Sequence, residues 1–138
     1  MVLRLIERLK AYRRKINYIT EKLGELPPDI DNVFYFEALL YRLHTSIDAV
    51  MDIIAMLVRD LGMNVSDDYT NIDKLAEKRI IDKELADKLK LLNGLRNAIV
   101  HKYNKFDERV VKENLNEIID IIFSFIRVVE NVLQKIFK

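Results

Sequence analysis

The sequence predicts an all-α fold, an up-down four-helix bundle with one additional short helix. Only 3 Gly and 2 Pro interrupt the 138 residues, so the backbone has few places to turn sharply. Hydrophobic residues make up 50% of the chain, and in four long stretches they recur at alternating three- and four-residue steps, which is the pattern of a helix with one buried face. A chain of this length can bury a core without disulfides or metals. We therefore expect a single helical domain over residues 1–138.

The first two helices are bounded by residues that end or begin helices. The first covers most of residues 2 to 25 and stops at Gly24, ahead of Pro27 and Pro28. Asp29 or Asp31 can cap a long second helix, and Gly62 supplies its end. The buried stripe predicted for this second helix is Val33, Phe36, Leu40, Leu43, Ile47, Val50, Ile54, Leu57 and Leu61.

Three further helical segments follow a connection at residues 63–68. A short piece around Ile72, Leu75 and Ala76 ends near Arg79, and we expect it to lie across the bundle. Asp82 can cap the next helix, whose apolar positions are Leu85, Leu89 and Leu92. The last helix carries an apolar series from Val111 to Ile136. Four long helices in up-down order are the simplest packing of these elements.

The last helix has a second apolar stripe, formed by Ile119, Ile126 and Leu133. A helix that is apolar on more than one side needs two packing partners. One interpretation is a deeply buried helix in a monomer. A bundle of this size has few places to bury a helix on both sides, so the pattern favours a homodimer.

Composition excludes several classes of function. The chain has 23 basic and 22 acidic residues, a net charge of +1, so no global field attracts nucleic acid or an anionic membrane. Without Cys there is no disulfide framework, thiol nucleophile or thiolate zinc site. Charged residues interrupt every apolar stretch before it is long enough for a membrane span. We expect a cytoplasmic protein with no membrane partner and no cofactor.

The densest polar cluster lies at residues 94–103, around one of the two histidines. His44, on the second helix beside the buried stripe, is interpreted as a partly buried structural residue. His101 falls at the end of the fourth helix, where the apolar series runs out, and Asn97 shares its face four residues earlier. These positions make His101 the candidate for chemistry.

Arg96 occupies a stripe position at which an apolar residue is expected. A structural interpretation pairs its guanidinium with Asp48 or Asp52, which lie four apart on the second helix. A functional interpretation uses His101 to move the proton of a ribose 2′-hydroxyl while Arg96 stabilises charge on the attacked phosphate. This RNA cleavage needs no metal ion, and two carboxylates alone would hold one only weakly.

The segment from Arg96 to Tyr103 resembles the R-x-x-x-x-H-x-Y signature of the HepT toxins, a branch of the HEPN superfamily of helical ribonucleases. Residues 47–55 and 75–81 also resemble the family's pattern. The resemblance covers nearly the whole chain and implies a HEPN-like toxin of a toxin–antitoxin pair, a metal-independent endoribonuclease.

The resemblance also implies roles for individual residues. Arg96 and His101 would be the catalytic pair, oriented by Asn97 and supported by Asp48. Two such motifs would face each other across the cleft of a homodimer. Tyr103 would be the residue that a cognate MntA-type minimal nucleotidyltransferase, the antitoxin, modifies with AMP. Such a modification would place a competing anion beside Arg96 and obstruct RNA.

An RNA substrate needs a local positive surface. The first 24 residues contain seven basic and two acidic side chains, and Lys102, Lys105 and Arg109 surround the motif. A solvated helix face is an equally good interpretation of the first helix, and a surface that receives the antitoxin is a third. Two alternatives stay open for the whole chain: a non-catalytic module that binds a nucleotide or a nucleotidyltransferase, and a structural bundle with a buried Arg–Asp pair.

Overall fold

The computed structural model describes residues 2–101 and 106–137, which form five helices and no strand. The helices are α1 (Val2–Gly24), α2 (Val33–Asp60), α3 (Asp68–Glu77), α4 (Lys83–His101) and α5 (Glu108–Ile136). In the ring of four long helices, α1 contacts α2, α2 contacts α4, α4 contacts α5, and α5 contacts α1. The short α3 packs on α2 and α4. The predicted all-α fold, with four long helices and one short one, is confirmed.

The core fills the space enclosed by the four long helices. Each contributes large side chains with no solvent exposure, among them Ile19, Ile54, Leu89 and Phe125. Burying a side chain of this size contributes about 1.5–3 kcal/mol relative to leaving it exposed. Within residues 2–101 and 106–137, no helix is both long and apolar enough to cross a membrane.

The N-terminal caps correct one prediction and confirm another. Asn32, rather than Asp29 or Asp31, caps α2, because its Oδ1 accepts hydrogen bonds from the backbone N–H groups of Phe34 and Tyr35. The Asp29 carboxylate is used in the preceding turn, where it accepts from the N–H of Asp31 at 3.0 Å. Asp82 caps the start of α4 as predicted, with its Oδ1 2.7 Å from the backbone nitrogen of Leu85.

Gly62 ends α2 as predicted, and the reason is conformational. Its φ of +83° lies in the left-handed region, which a side chain disfavours. The chain reversal satisfies two final carbonyls: the N–H of Met63 bonds to the Val58 oxygen at 2.9 Å and the N–H of Gly62 to the Arg59 oxygen at 3.0 Å. The same motif ends α3, with Arg79 at φ 59° in the position of the glycine.

A buried carboxylate fixes α1 against the end of α2. The Asp60 side chain, 3% exposed, accepts a hydrogen bond from the Tyr12 hydroxyl at 2.6 Å and pairs with Arg8 at 2.7 Å and Arg59 at 3.0 Å. Burial opposes the charge of Asp60, but hydrogen bonds from Arg59, Tyr12 and Arg8 outweigh it and lower the pKa of that carboxyl. Burial and the bond to Asp60 raise the pKa of the Tyr12 hydroxyl far above its usual range.

The second apolar stripe of α5 is buried within the chain itself. Ile126 is 8% exposed and Leu133 2% exposed, and Ile119 is half-buried. This burial follows from the position of α5, which contacts both α1 and α4. The two-sided apolar pattern is therefore explained within one chain and does not by itself indicate a homodimer.

Candidate active site

An exposed strip of α2 lies between α1 and α4. It consists of side chains three or four residues apart, Tyr41, Thr45, Asp48 and Asp52, all half-buried or exposed. Its two carboxylates are held from opposite sides. Asp52 pairs with Lys15 of α1 at 2.7 Å, whereas Asp48 pairs with Arg96 of α4 at 2.5 Å. The strip thus joins the basic first helix to the polar end of α4.

Arg96 is held in one orientation by two neighbours. Its Nε donates to Asp48 Oδ1 at 2.5 Å, and its Nη1 donates to Asn97 Oδ1 at 3.2 Å. The predicted partner Asp48 is confirmed, while the alternative partner Asp52 is wrong, because Asp52 lies one turn further along α2 and binds α1. The Arg96 side chain is 26% exposed, so part of the guanidinium reaches solvent. A half-exposed, oriented guanidinium is suited to binding a phosphate.

His101 is the last residue of α4 and is exposed. Helix geometry places it about 7.5 Å along the axis from Arg96 and about 140° around it, and on the face of half-buried Asn97. One helix therefore carries an oriented guanidinium and an accessible imidazole. The other residues predicted near the motif, Tyr103 with Lys102 and Lys105, lie outside the described residues.

His44, predicted only to be a partly buried structural residue, belongs to the same cluster. Its Nδ1 is 3.8 Å from Asp48 Oδ2, and its ring meets the Tyr41 ring edge to face at 5.4 Å between centroids. The Nδ1 atom is buried and makes no hydrogen bond to any described residue. The spacing of four residues between His44 and Asp48 was the signal available in the sequence.

The N-terminus of α3 also lies within the electrostatic field of this cluster. Burial raises the pKa of Asp68, Arg96 partly offsets that rise, and Asp52 and Asp48 add to it. Asp68 is thus sensitive to the same charges that surround the Arg96 guanidinium. Sequence spacing gave no signal for Asp68, because it does not show where a short helix docks.

The comparison with known protein families identifies the family of the chain. A family described as "HepT-like: Ribonuclease HepT-like" matches residues 3–129. The chain belongs to this family. A relative from Archaeoglobus fulgidus, provisionally named an RNase, is 46% identical over 129 residues, which are 94% of this chain and 98% of the relative.

Solved structures show that this HepT-like chain has the HEPN fold. A tri-AMPylated Shewanella oneidensis HEPN toxin in complex with MNT antitoxin is similar with a TM-score of 0.69 and 24% identity, over 92% of this chain and 96% of that one. YutE, a cytosolic protein of unknown function from Bacillus subtilis, gives a TM-score of 0.80 at 15% identity, over 90% of this chain and 89% of that one. The predicted family and fold are confirmed.

The basic first helix of the HepT-like chain is partly neutralised by its own neighbours. Arg8 pairs with Asp60 at 2.7 Å and Arg13 with Glu130 at 2.5 Å, in addition to the pair between Lys15 and Asp52. A groove of about 370 Å³ between α1 and α2 is lined by Arg14, Lys15, Tyr18, Thr45, Asp48, Ala49 and Asp52. It opens beside the carboxylate that holds Arg96, so cations of α1 border the site.

No group of three or more His, Asp or Glu side chains in the described part of the chain is placed to hold a metal ion. The carboxylates near Arg96 are instead bound to cations of neighbouring helices. Their contacts fit the supporting role predicted for Asp48 better than the role of a metal ligand.

Proposed function

We propose that this HepT-like chain is the toxin of a toxin–antitoxin pair and cleaves cytoplasmic RNA as a metal-independent endoribonuclease. The observation that carries the proposal is the arrangement on α4: Arg96, oriented by Asp48 and Asn97, precedes an exposed His101 by five residues. Membership of the HepT-like family, whose description names a ribonuclease, supports the same activity.

The proposed reaction uses protein groups for both proton transfer and charge stabilisation. His101 accepts the proton of a ribose 2′-hydroxyl, and the 2′-oxygen attacks the adjacent phosphorus. The bond from phosphorus to the 5′-oxygen breaks, and the leaving oxygen takes a proton from a second acid. Arg96 stabilises the negative charge that accumulates on the phosphoryl oxygens. The products are a 2′,3′-cyclic phosphate and a 5′-hydroxyl.

A homodimer would supply the second acid. Each chain has one histidine on α4, so two motifs facing each other would provide one base and one acid. Mixing wild-type chains with increasing amounts of His101→Ala chains tests this arrangement. If both histidines are needed, a mixed dimer is inactive and cleavage falls faster than the wild-type fraction, whereas a site complete within one chain keeps cleavage proportional to that fraction.

The antitoxin partner is proposed to be an MntA-type nucleotidyltransferase that adds AMP to Tyr103. The related Shewanella oneidensis toxin is AMPylated and bound to an MNT antitoxin, and Tyr103 follows His101 by two residues. AMP at this position would bring phosphate charge to the Arg96 guanidinium and compete with RNA. Mass spectrometry after incubation with the partner and ATP should show AMP on Tyr103. A mass increase on another residue would refute the assignment.

Incubating the purified chain with RNA in EDTA tests the activity itself. Cleavage with 2′,3′-cyclic phosphate ends, lost in His101→Ala, is the expected result. The competing function is a non-catalytic module that binds a nucleotide or a nucleotidyltransferase. It predicts intact RNA and a tight complex with the partner.

A further inference from the structure

The Asp48 carboxylate lies between two groups that can carry positive charge. Oδ1 accepts from Arg96 Nε at 2.5 Å, and Oδ2 faces His44 Nδ1 at 3.8 Å. The three side chains are between 25% and 41% exposed, so water screens their charges only in part. A change in the charge of His44 therefore alters the electrostatic environment of Asp48 and, through Asp48, that of Arg96.

The buried Nδ1 atom of His44 makes no hydrogen bond to a described residue, because Asp48 Oδ2, at 3.8 Å, is too far away for one. A buried polar atom without a hydrogen bond is uncommon and costly. Protonation makes this nitrogen a donor facing a carboxylate oxygen, and a short approach of the two side chains then completes an ion pair. The imidazole ring also packs edge to face with the Tyr41 ring.

We propose that His44 is a positioning residue for Arg96, and that its imidazolium form binds Asp48 and leaves the Arg96 charge available to an RNA phosphate. With neutral His44, the three side chains sum to zero charge, since Asp48 offsets Arg96. With protonated His44 they carry one positive charge, and Asp48 is held at both oxygens. This inference rests on the proposed RNA cleavage and adds a residue to that site.

The other charged groups around this trio come from two further helices. Arg14 and Lys15 of α1 line the groove that Asp48 also lines, and Asp68 of α3 lies within the field of Asp48 and Arg96. None of these groups has an ordinary pKa between 6 and 8. Histidine is the side chain whose ordinary pKa lies in this range.

The chain allows the coupling to be measured without activity, because it has only 2 His. In His101→Ala, His44 is the sole histidine, and its imidazole signals in an NMR titration are unambiguous. Adding Asp48→Asn, which removes the carboxylate, and adding Arg96→Ala, which removes the competing cation, should change the pH dependence of these signals in opposite directions. Adding Asp52→Asn, two turns from His44, is the matched control and should have little effect. The same His44 titration in all four chains would overturn the proposal.

RNA affinity tests the consequence for the substrate. In the His101→Ala chain at low salt, the Kd for a short RNA should be about two- to fivefold lower at pH 6 than at pH 8. His44→Gln should remove this pH dependence, and His44→Lys should bind equally well at both pH values. Lys83→Gln, which removes one charge at the other end of α4, should keep the dependence. Persistence of the pH effect in His44→Gln contradicts the proposal. If no chain binds RNA, the proposed function is contradicted. The electrostatic coupling of His44 to Asp48 and Arg96 is still tested by the NMR titration in that case.

Discussion

Asp48 Oδ1 and Arg96 Nε are 2.5 Å apart, across the contact between α2 and α4. A guanidinium has five N–H donors in a fixed plane, so binding at Nε orients the whole group. Asn97 accepts from Nη1, so two of the three guanidinium nitrogens are bound to described side chains. We infer that the remaining N–H groups meet the RNA phosphate, and that Asp48 acts by keeping the guanidinium in place.

Replacing Asp48 with Asn should lower kcat/KM for RNA by about ten- to a hundredfold, because a misplaced guanidinium no longer meets the developing charge. Asp52→Asn is the matched control. It makes the same chemical change one turn away, where the partner is Lys15, and should leave cleavage nearly unchanged. Steady-state cleavage of one defined RNA by both variants measures the difference. Equal losses in the two would show that the position of the carboxylate is unimportant.

The Tyr12 hydroxyl should be important for stability. Tyr12→Phe removes the donor 2.6 Å from the buried Asp60 carboxylate and should lower the free energy of unfolding by about 2 kcal/mol. Tyr18→Phe, in a half-buried tyrosine of the same helix, should change it by less than about 0.5 kcal/mol. Urea unfolding followed by circular dichroism checks both. Similar values for the two variants would contradict the role given to the Tyr12 hydroxyl.

Acid should destabilise the chain partly through Asp60. Because hydrogen bonds from Arg59, Tyr12 and Arg8 lower its folded pKa, its stabilising contribution is complete above the unfolded value of about 4 and declines as pH falls through the folded value. Asp60→Asn should therefore lose less stability than the wild-type chain between pH 5 and pH 2. Asp67 and Asp107, whose pKa values are also lowered, contribute equally to both chains. Parallel pH profiles in unfolding experiments would refute this assignment.

The two exposed glycines at helix ends should respond oppositely to the same substitution. Neither has a neighbouring atom within 4 Å of an added Cβ, so the backbone conformation alone determines how the substitution changes stability. Gly62→Ala should cost about 1 kcal/mol, because φ is +83° there. Gly24→Ala, in the last turn of α1, should be neutral or stabilising by up to about 0.5 kcal/mol. Thermal unfolding measures both changes. A stable Gly62→Ala chain would contradict the described chain reversal.

The helices were predictable because each carries an apolar repeat and ends at a residue with local chemistry, such as Gly62 or Asp82. The cap of α2 was less predictable, since Asp29, Asp31 and Asn32 are all suitable and the choice depends on the path of the preceding turn. The second stripe on α5 indicated two packing partners correctly. Both partners, α1 and α4, belong to the same chain, which a one-dimensional pattern does not show.

The features of the candidate site that depend on α4 alone were predictable from the sequence, whereas contacts between helices were not. Spacing placed Asn97 beside Arg96 and His101, and it offered Asp48 and Asp52 as partners without choosing between them. The choice depends on the axial offset between α2 and α4, which only packing determines. His44 was assigned a structural role because its position beside the buried stripe gave no information about Asp48 Oδ2. The docking of α3 next to Arg96 had no sequence signal.

Single-turnover cleavage of a defined RNA in EDTA, with wild-type, His101→Ala and Arg96→Ala chains of verified fold, tests the central claim most directly. The account predicts cleavage by the wild-type chain and a loss of at least about a hundredfold in each variant. It also predicts that His101→Ala keeps its melting temperature, since His101 is exposed at the end of α4. Unchanged cleavage in His101→Ala, or an Arg96→Ala chain that loses stability but retains the rate, would contradict it.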